Sequence, residues 1–264
     1  MQGERETDMT AIFDTHAHYD DEAFDEDREA LLEALPKSGI AKVVNVGSSL
    51  EACRRTIGLM EKYDYIYGAL GIHPGDTGEL NEESFAWLKE QYQLEKCVAV
   101  GEIGLDYYWN EPEREIQQKW FRRQLELARE VKKPVVIHSR DAAKDTIDIM
   151  QEERAEELGG VIHCYSYTKE TAKTFLDMGF FFGIGGVLTF KNARKLKEAA
   201  EYIPLERIVL ETDCPYLAPE PNRGKRNSSL NLPRVVSALA ELKGVDEETV
   251  RRAAWENAHA LYRL

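Results

Sequence analysis

Short apolar runs, many of them rich in Val and Ile, recur along the chain between longer stretches with apolar residues at helical spacing. A continuous apolar run of strand length, bounded by turn residues, is typical of a buried β-strand. We predict eight strands, the first running from Ala11 through the motif Asp14-Thr15-His16-Ala17-His18. The other seven are Ile40–Val46, Tyr65–Ile72, Cys97–Ile103, Pro134–Ile137, Val161–Ile162, Phe180–Ile184 and Arg207–Leu210.

The stretches between these strands have the pattern of amphipathic helices with recognisable ends. Ser48 or Ser49, Asn81 and Thr168 are suited to cap a helix N-terminus, and Gly179 is suited to end one. The predicted helices are Asp25–Leu35, one after Ser48 or Ser49 that continues through Met60, Asn81–Tyr92, Pro112–Val131, Ala142–Leu158, Thr168–Met178, Asn192–Tyr202 and two in residues 233–264, split at Gly244 and with Asp246 as the second cap. Strand and helix therefore alternate through the chain.

This alternation is expected for a (β/α)₈ TIM barrel, and also for an open, doubly wound sheet. The polar residues distinguish the two folds. Histidines and carboxylates fall at the C-terminal ends of predicted strands: His16, His18, His73, Glu102, His138, His163 and Asp213. In an open sheet these ends form a line, whereas in a barrel they form a ring and can converge on one centre. We therefore predict an α/β fold of the (β/α)₈ TIM barrel class.

The motif Asp14-Thr15-His16-Ala17-His18 is the densest of these positions. Side chains alternate along a strand, so His16 and His18 point to the same face and can bind one metal ion together. An isolated pair of this kind is more often two solvated or core histidines. Because histidines and carboxylates also occur at the ends of other predicted strands, we favour a metal site.

Four histidines and two carboxylates form the candidate ligand set: His16, His18, Glu102, His138, His163 and Asp213. Imidazole and carboxylate suit zinc, manganese, iron or cobalt, and carboxylates also bind magnesium. Six ligands exceed what one tetrahedral ion uses, so we predict two divalent ions, which a carboxylate such as Glu102 can bridge at about 3.5–4 Å. In such a centre one ion polarises the scissile bond and the other lowers the pKa of a water molecule toward about 7.

Length and composition set further limits. The chain has 264 residues, 43% of them hydrophobic, and we place one large domain at residues 11–264. Residues 1–10 are polar, and we expect a flexible extension in which Met9 is an alternative start of translation. The sequence shows no membrane-spanning run, no signal-peptide pattern and no disulfide or C-x-x-C spacing, so we expect a cytoplasmic protein without membrane contact.

Charge is distributed unevenly along the chain. The formal net charge of −14 disfavours binding to long stretches of nucleic acid, because phosphate affinity depends on Lys and Arg. Two late segments, residues 189–197 and 221–234, are nevertheless basic and contain no acidic residue. The second contains Arg223, Lys225 and Arg226 and follows the last predicted strand, where barrels often bind phosphate. The alternative is an ordinary solvated surface.

Seven motifs extend from about residue 12 to the C-terminal part: Phe13-Asp14-Thr15-His16-Ala17-His18, Gly71-Ile72-His73-Pro74, Gly101-Glu102-Ile103-Gly104-Leu105-Asp106, His138-Ser139-Arg140, His163-Cys164, Glu211-Thr212-Asp213-Cys214-Pro215 and Arg223-Gly224-Lys225-Arg226-Asn227. Together they resemble the TatD family of metal-dependent deoxyribonucleases, within the amidohydrolase-type barrels. The resemblance implies a TIM barrel of the metal-dependent hydrolase type. Two departures from the family pattern, Tyr165-Ser166-Tyr167 in place of Phe-Ser-Gly and Ser228-Ser229 in place of Glu-Pro, bear on substrate preference rather than on catalysis.

The resemblance implies that His16, His18, Glu102 and Asp213 hold one ion and that Glu102, His138 and His163 hold the other, with Glu102 and Asp213 as the catalytic carboxylates. We predict a monomeric deoxyribonuclease that cleaves phosphodiester bonds in single-stranded DNA or at strand ends. The alternatives are an amidohydrolase that acts on a cyclic amide or another small carbonyl substrate, and a metal-binding barrel without turnover. The basic loops favour phosphate, and the complete ligand set favours turnover.

Other residues near the predicted ring have two interpretations each. His73 either contacts a substrate phosphate or has a structural role. Arg140 either contacts a substrate phosphate or pairs with a neighbouring acidic residue. Asp106 and Glu211 support ligating histidines or cap loops. Six aromatic residues follow strand ends and either stack on unpaired bases or pack the loops: Tyr107, Tyr108, Trp109, Tyr165, Tyr167 and Tyr216. The predicted substrate contacts are His73, Arg140, Arg223, Lys225 and Arg226.

Overall fold

Eight parallel strands form one sheet in the computed structural model, which describes residues 11–264. Each strand pairs with the next along the chain: β1 Ile12–Ala17, β2 Ile40–Gly47, β3 Ile66–Leu70, β4 Cys97–Asp106, β5 Val135–Arg140, β6 Gly160–Ile162, β7 Phe181–Ile184 and β8 Ile208–Leu210. All eight predicted strands are present. The predicted flexible extension and the alternative start at Met9 lie outside the described residues.

The sheet closes between β1 and β8. A parallel bridge joins Ala17 to Cys214. The Asp14 carboxylate adds links across the same seam, because it accepts hydrogen bonds from Thr212 Oγ1 at 2.7 Å and from Ser229 Oγ at 2.6 Å. This closure confirms the predicted TIM barrel, and the alternative of an open sheet is wrong.

Nine α-helices lie within the described residues: α1 Arg28–Ala34, α2 Leu50–Lys62, α3 Glu82–Gln91, α4 Arg114–Val131, α5 Ala143–Glu152, α6 Lys169–Asp177, α7 Arg194–Tyr202, α8 Leu232–Lys243 and α9 Glu247–Tyr262. The predicted caps explain where several of them begin. Ser49, Asn81, Thr168 and Asp246 each accept a backbone N–H of the first helical turn. None of these helices is long and apolar enough to cross a membrane.

Several helix boundaries differ from the predictions, among them the start of α7, which is Arg194 rather than Asn192. α1 begins at Arg28 rather than Asp25, and α4 begins at Arg114 rather than Pro112. The predicted helix Ala142–Leu158 is divided, because the backbone of Arg154 turns into the left-handed region with a φ of 53°. α5 therefore ends at Glu152, and a separate short 3-10 turn follows it. Apolar periodicity continues across this break and conceals it in the sequence.

The strand that carries Glu102 is longer than predicted. β4 continues beyond Ile103 to Asp106, because its last three residues pair with β5 as Gly104–His138, Leu105–Ser139 and Asp106–Arg140. Every residue of β4 is buried. This pairing places Glu102 and Asp106 on a fixed element beside the strand that carries His138.

Candidate metal centre

The C-terminal end of β1, strand β4 and the loop after β8 bring the first ligand group together: His16, His18, Glu102 and Asp213. The Nε2 atoms of His16 and His18 are 3.1 Å apart. Asp213 Oδ1 lies 3.7 Å from the first of these nitrogens and 3.3 Å from the second. Glu102 Oε2 lies 3.4 and 3.7 Å from the same two atoms. Each of the two carboxylates therefore has an oxygen within 3.7 Å of both imidazole nitrogens.

A second ligand group forms where β4, β5 and β6 end: Glu102, His138 and His163. Glu102 Oε1 lies 2.6 Å from His138 Nδ1 and 2.8 Å from His163 Nε2. The two nitrogens are 3.2 Å apart. The carboxylate of Glu102 thus directs one oxygen to each ligand group.

These donor atoms fit divalent cations in type and in spacing. Metal–nitrogen distances of about 2.0–2.1 Å give tetrahedral edges of about 3.4 Å between neighbouring ligand atoms. The spacings in the first ligand group, 3.1–3.7 Å, bracket that edge. Those in the second, 2.6–3.2 Å, are somewhat shorter and would widen slightly around an ion. All six sequence-predicted ligands are brought together.

Hydrogen bonds on the outer side of two rings determine which nitrogen faces the ligand groups. His18 Nδ1 lies 2.8 Å from the carbonyl oxygen of Val46, which can only accept, so Nδ1 carries the proton and Nε2 is free to bind a cation. His138 Nε2 lies 3.1 Å from Asp106 Oδ2 and donates to that carboxylate, which leaves Nδ1 as the ligand atom. The tautomers are therefore set by neighbouring strands.

Asp106 combines both roles that its sequence position suggested. One of its oxygens, Oδ2, accepts the hydrogen bond from His138. The other, Oδ1, accepts the backbone N–H groups of Tyr108 at 3.0 Å and of Trp109 at 3.2 Å. The same carboxylate orients a ligating histidine and caps the loop after β4.

Glu211 lies beneath the second ligand group rather than in it. Its Oε1 accepts the backbone N–H of Cys164 at 2.5 Å and is 3.8 Å from His163 Nδ1, too far for a hydrogen bond. Burial raises the pKa of its carboxyl group to about 8. A Cβ on Gly183 would lie 1.9 Å from its Oε2, so the glycine is what leaves room for this side chain.

The electrostatics of the centre favour protons on three of its histidines when no cation is bound: His18, His138 and His163. Although burial acts in the opposite direction, the hydrogen bond that His138 donates to Asp106 raises the pKa of His138. Burial lowers the pKa of His16 to about 4. Burial opposes protonation of His18 too, but the hydrogen bond and charge of Asp213 raise its pKa to about 10. The charge of Glu102 likewise overcomes burial and raises the pKa of His163 to about 9. The neighbouring imidazoles hold the pKa of Glu102 well below its usual range despite burial.

Metal binding is therefore expected to release protons and to strengthen as the pH rises from about 6.5 to 9. His18 and His163, with pKa values of about 10 and 9, are protonated in that range and must lose a proton to bind a cation. Each released proton weakens apparent affinity roughly tenfold per pH unit below the pKa. Calorimetric titration with zinc in buffers of different ionisation enthalpy measures the release. A buffer-independent binding enthalpy would contradict this expectation, and His163→Gln should remove one of the released protons.

A cavity of about 760 Å³ lies over both ligand groups. Two of the predicted substrate residues, His73 and Arg140, line it. Among the described residues that do so, Arg140 is the only Lys or Arg, whereas six carboxylates line it: Asp20, Asp21, Asp76, Glu102, Asp106 and Asp213. Sequence reasoning had named Ser48 only as a possible helix cap and had not named Asp76, although the positions of both after predicted strands could have indicated a place in the site.

The other three predicted substrate contacts lie elsewhere. Arg223, Lys225 and Arg226 are not among the described residues that line the cavity, although Tyr216 and Leu217 of the same loop are. Arg226 forms a bidentate ion pair with Asp27, at 2.7 and 2.6 Å. The guanidinium of Arg223 lies 4.2 Å from the ring centroid of Phe190. Their role in phosphate binding stays a prediction.

Comparison with known proteins agrees with this geometry. The family model described as TatD related DNase matches residues 13–263. The uncharacterized metal-dependent hydrolase YabD of Bacillus subtilis is 43% identical over 253 residues, covering 96% of this chain and 99% of its own. The uncharacterized metal-dependent hydrolase YcfH of Escherichia coli is 35% identical over 259 residues, with 96% of each chain covered.

Solved structures show the same barrel. The crystal structure of YJJV, a TatD homologue from Escherichia coli, superposes with a TM-score of 0.91 and 31% sequence identity, covering 97% of this chain and 99% of that one. A TatD family hydrolase from Entamoeba histolytica has a TM-score of 0.86 at 23% identity, over 96% of this chain and 98% of its own. The second likeness concerns the fold alone.

Proposed function

Since this chain belongs to the TatD family of metal-dependent hydrolases, we propose that it is a deoxyribonuclease that cleaves phosphodiester bonds at the end of a DNA strand with two divalent ions. Family membership makes the chain a metal-dependent hydrolase. The DNA substrate, the two ions and the exonucleolytic direction of attack are what we add. A monomeric state and a cytoplasmic location stay predictions.

The observation that supports the two-ion proposal is that the two oxygens of the Glu102 carboxylate face different ligand groups. Its Oε2 lies 3.4 Å from His16 Nε2 in the first ligand group, and its Oε1 lies 2.6 Å from His138 Nδ1 in the second. A carboxylate that serves two sets of nitrogen donors is suited to bridge two cations. When bound, two such ions supply Lewis-acid activation of a phosphate and lower the pKa of a water molecule toward about 7.

Asp213 is the carboxylate best placed to accept the proton of the attacking water. Its side chain is 17% exposed against 5% for Glu102, and it lines the cavity. Although burial acts in the opposite direction, the hydrogen bond from His18 and the nearby imidazoles lower its pKa. An ionised carboxylate in contact with the cavity can act as a general base at neutral pH.

His73 is a neutral hydrogen-bond donor directed at the same place. Its Nδ1 accepts the backbone N–H of Gly75 at 3.0 Å, so the proton resides on Nε2, 4.0 Å from Glu102 Oε1. Burial lowers its pKa to about 4, with a further contribution from His138, and the ring stays neutral at pH 7. A neutral N–H near the second ligand group suits a phosphate oxygen. Arg140 supplies the positive charge on the cavity wall.

One observation favours the alternative of a small substrate. Beyond Glu102 and Asp213, four further carboxylates line the cavity, and within residues 11–264 only one guanidinium does so. Such a wall repels a polyanion and tolerates a neutral molecule such as a cyclic amide. Two bound divalent ions would offset much of that negative charge, which is why a single phosphate near the ions remains compatible with it.

The decisive measurement is nuclease activity on an end-labelled single-stranded oligonucleotide, after chelation and reloading with magnesium, manganese, zinc or cobalt. We expect stepwise release of mononucleotides with at least one ion and none after chelation. Asp213→Asn, purified in the same way, should be inactive and so excludes a contaminating nuclease. Hydrolysis of a cyclic amide without any cleavage of the oligonucleotide would overturn the proposal in favour of the alternative.

A further inference from the structure

Trp109 is unusually exposed for a residue beside a catalytic centre. It lies in the loop after β4, lines the cavity over the ligand groups and is 68% exposed. A tryptophan left so open contributes little to the protein core, and covering its ring with a flat ligand would bury apolar surface. Tyr202, another exposed aromatic residue, lies on α7 and does not line the cavity.

The backbone of this loop is fixed relative to the metal centre. Asp106 Oδ1 accepts the N–H groups of both Tyr108 and Trp109, and its Oδ2 accepts the hydrogen bond of His138. Because one carboxylate holds both the loop and a ligating histidine, the tryptophan has a defined position with respect to the second ligand group. An ordered ring loses little conformational freedom when a ligand binds to it.

The ring of Trp109 also has a side-chain neighbour. Tyr108 packs edge-on against Trp109, with ring centroids 4.9 Å apart and an interplanar angle of 89°. On the tyrosine, the guanidinium of Arg140 lies 3.9 Å from the ring centroid. Arg140, Tyr108 and Trp109 therefore form a continuous row. Arg140, which is the only Lys or Arg on the cavity wall within residues 11–264, thus lies within a nucleotide's reach of the exposed ring.

We propose that this row is a subsite for one unpaired terminal nucleotide: Trp109 stacks on its base and Arg140 contacts its phosphate. The inference rests on the proposed DNA substrate and adds a preference of the enzyme for unpaired strand ends. A base inside a duplex is covered on both faces by its neighbours and is held by its pairing partner, whereas a frayed or single-stranded end offers a free face. Trp109 thus selects unpaired ends without reading base identity, because every base has a π-face.

A substrate–variant cycle tests the subsite. KM and kcat are measured on a single-stranded oligonucleotide and on the same strand with an abasic terminal position, for the wild type, Trp109→Ala and Trp109→Phe. Loss of the base should raise KM of the wild type roughly tenfold, in the range of base stacking on aromatic side chains. In Trp109→Ala that difference between the substrates should disappear, and Trp109→Phe should restore most of it, with kcat little changed.

Controls distinguish failure of the subsite proposal from misfolding of a variant and from failure of the proposed nuclease function. Tyr202→Ala removes a comparably exposed ring away from the cavity and should show the full wild-type difference. A Trp109→Ala enzyme that retains the full base dependence would overturn the subsite while leaving the nuclease intact. A wild type that cleaves neither strand with any tested ion would overturn the proposed function and the subsite together.

Discussion

Replacing Glu102 with glutamine is expected to lower kcat by roughly a thousandfold or more while the barrel stays folded. The amide has the size of the carboxylate but lacks its charge and one of its two acceptor oxygens. The second ligand group would be left with two imidazoles, His138 and His163, whose nitrogens are 3.2 Å apart. Elemental analysis should therefore show the loss of at least one ion per chain.

The matched control for this variant is Glu95→Gln, an exposed glutamate just before the same strand. It should retain wild-type activity and metal content. Circular dichroism on all three proteins separates loss of chemistry from loss of fold. A Glu102→Gln enzyme with two ions and near-normal turnover would exclude the bridging role.

Gly104→Ala is expected to destabilise the protein by about 3 kcal/mol or more, and to disturb the metal centre at the same time. Gly104 lies in β4 with a φ of +143°, and a Cβ there would be 1.9 Å from the carbonyl oxygen of His138. That oxygen belongs to the backbone, so the strand carrying a ligand would have to move. Urea unfolding measures the change in the free energy of unfolding.

Gly58→Ala serves as the control for the glycine experiment. Gly58 is exposed on α2, and a Cβ there has no atom within 4 Å. Alanine inside a helix should raise stability by about 0.5–1 kcal/mol. Unchanged unfolding midpoints in both variants would show that β4 tolerates a side chain beside His138 and would contradict the expected clash.

The barrel and the candidate ligands can be predicted from the sequence because both depend on local patterns. Apolar runs predict the strands, and His16, Glu102 or Asp213 can each be recognised from a position at a strand end. Local patterns do not predict the end of a strand when hydrogen bonding to a neighbouring strand determines it. Gly104 and Asp106 have the composition of a turn, yet they extend β4 because β5 offers hydrogen-bond partners beside them.

Contacts between segments distant in the sequence explain the other features of the site that the sequence did not predict. Arg226 belongs to a loop without acidic residues, but its partner Asp27 lies 199 positions earlier in the chain. Likewise, the tautomer of His18 depends on a carbonyl oxygen of β2 that leaves no mark in the composition. Whether the charge of Arg226 is available to a substrate, and which nitrogen of His18 is available to a cation, therefore depend on residues that only the folded chain brings close.

The seam between β1 and β8 joins the first and last strands that the ribosome produces. Asp14 and Thr212, which meet there, are 198 positions apart. At about 5–20 residues per second, several seconds separate the synthesis of Glu102 from that of Asp213. The second ligand group is complete in sequence once His163 has been made, but the first waits for the final strand. If Asp213 has the proposed roles, a nascent or truncated chain without it would lack both a ligand of the first ion and the general base, so activity would depend on completion of the last strand.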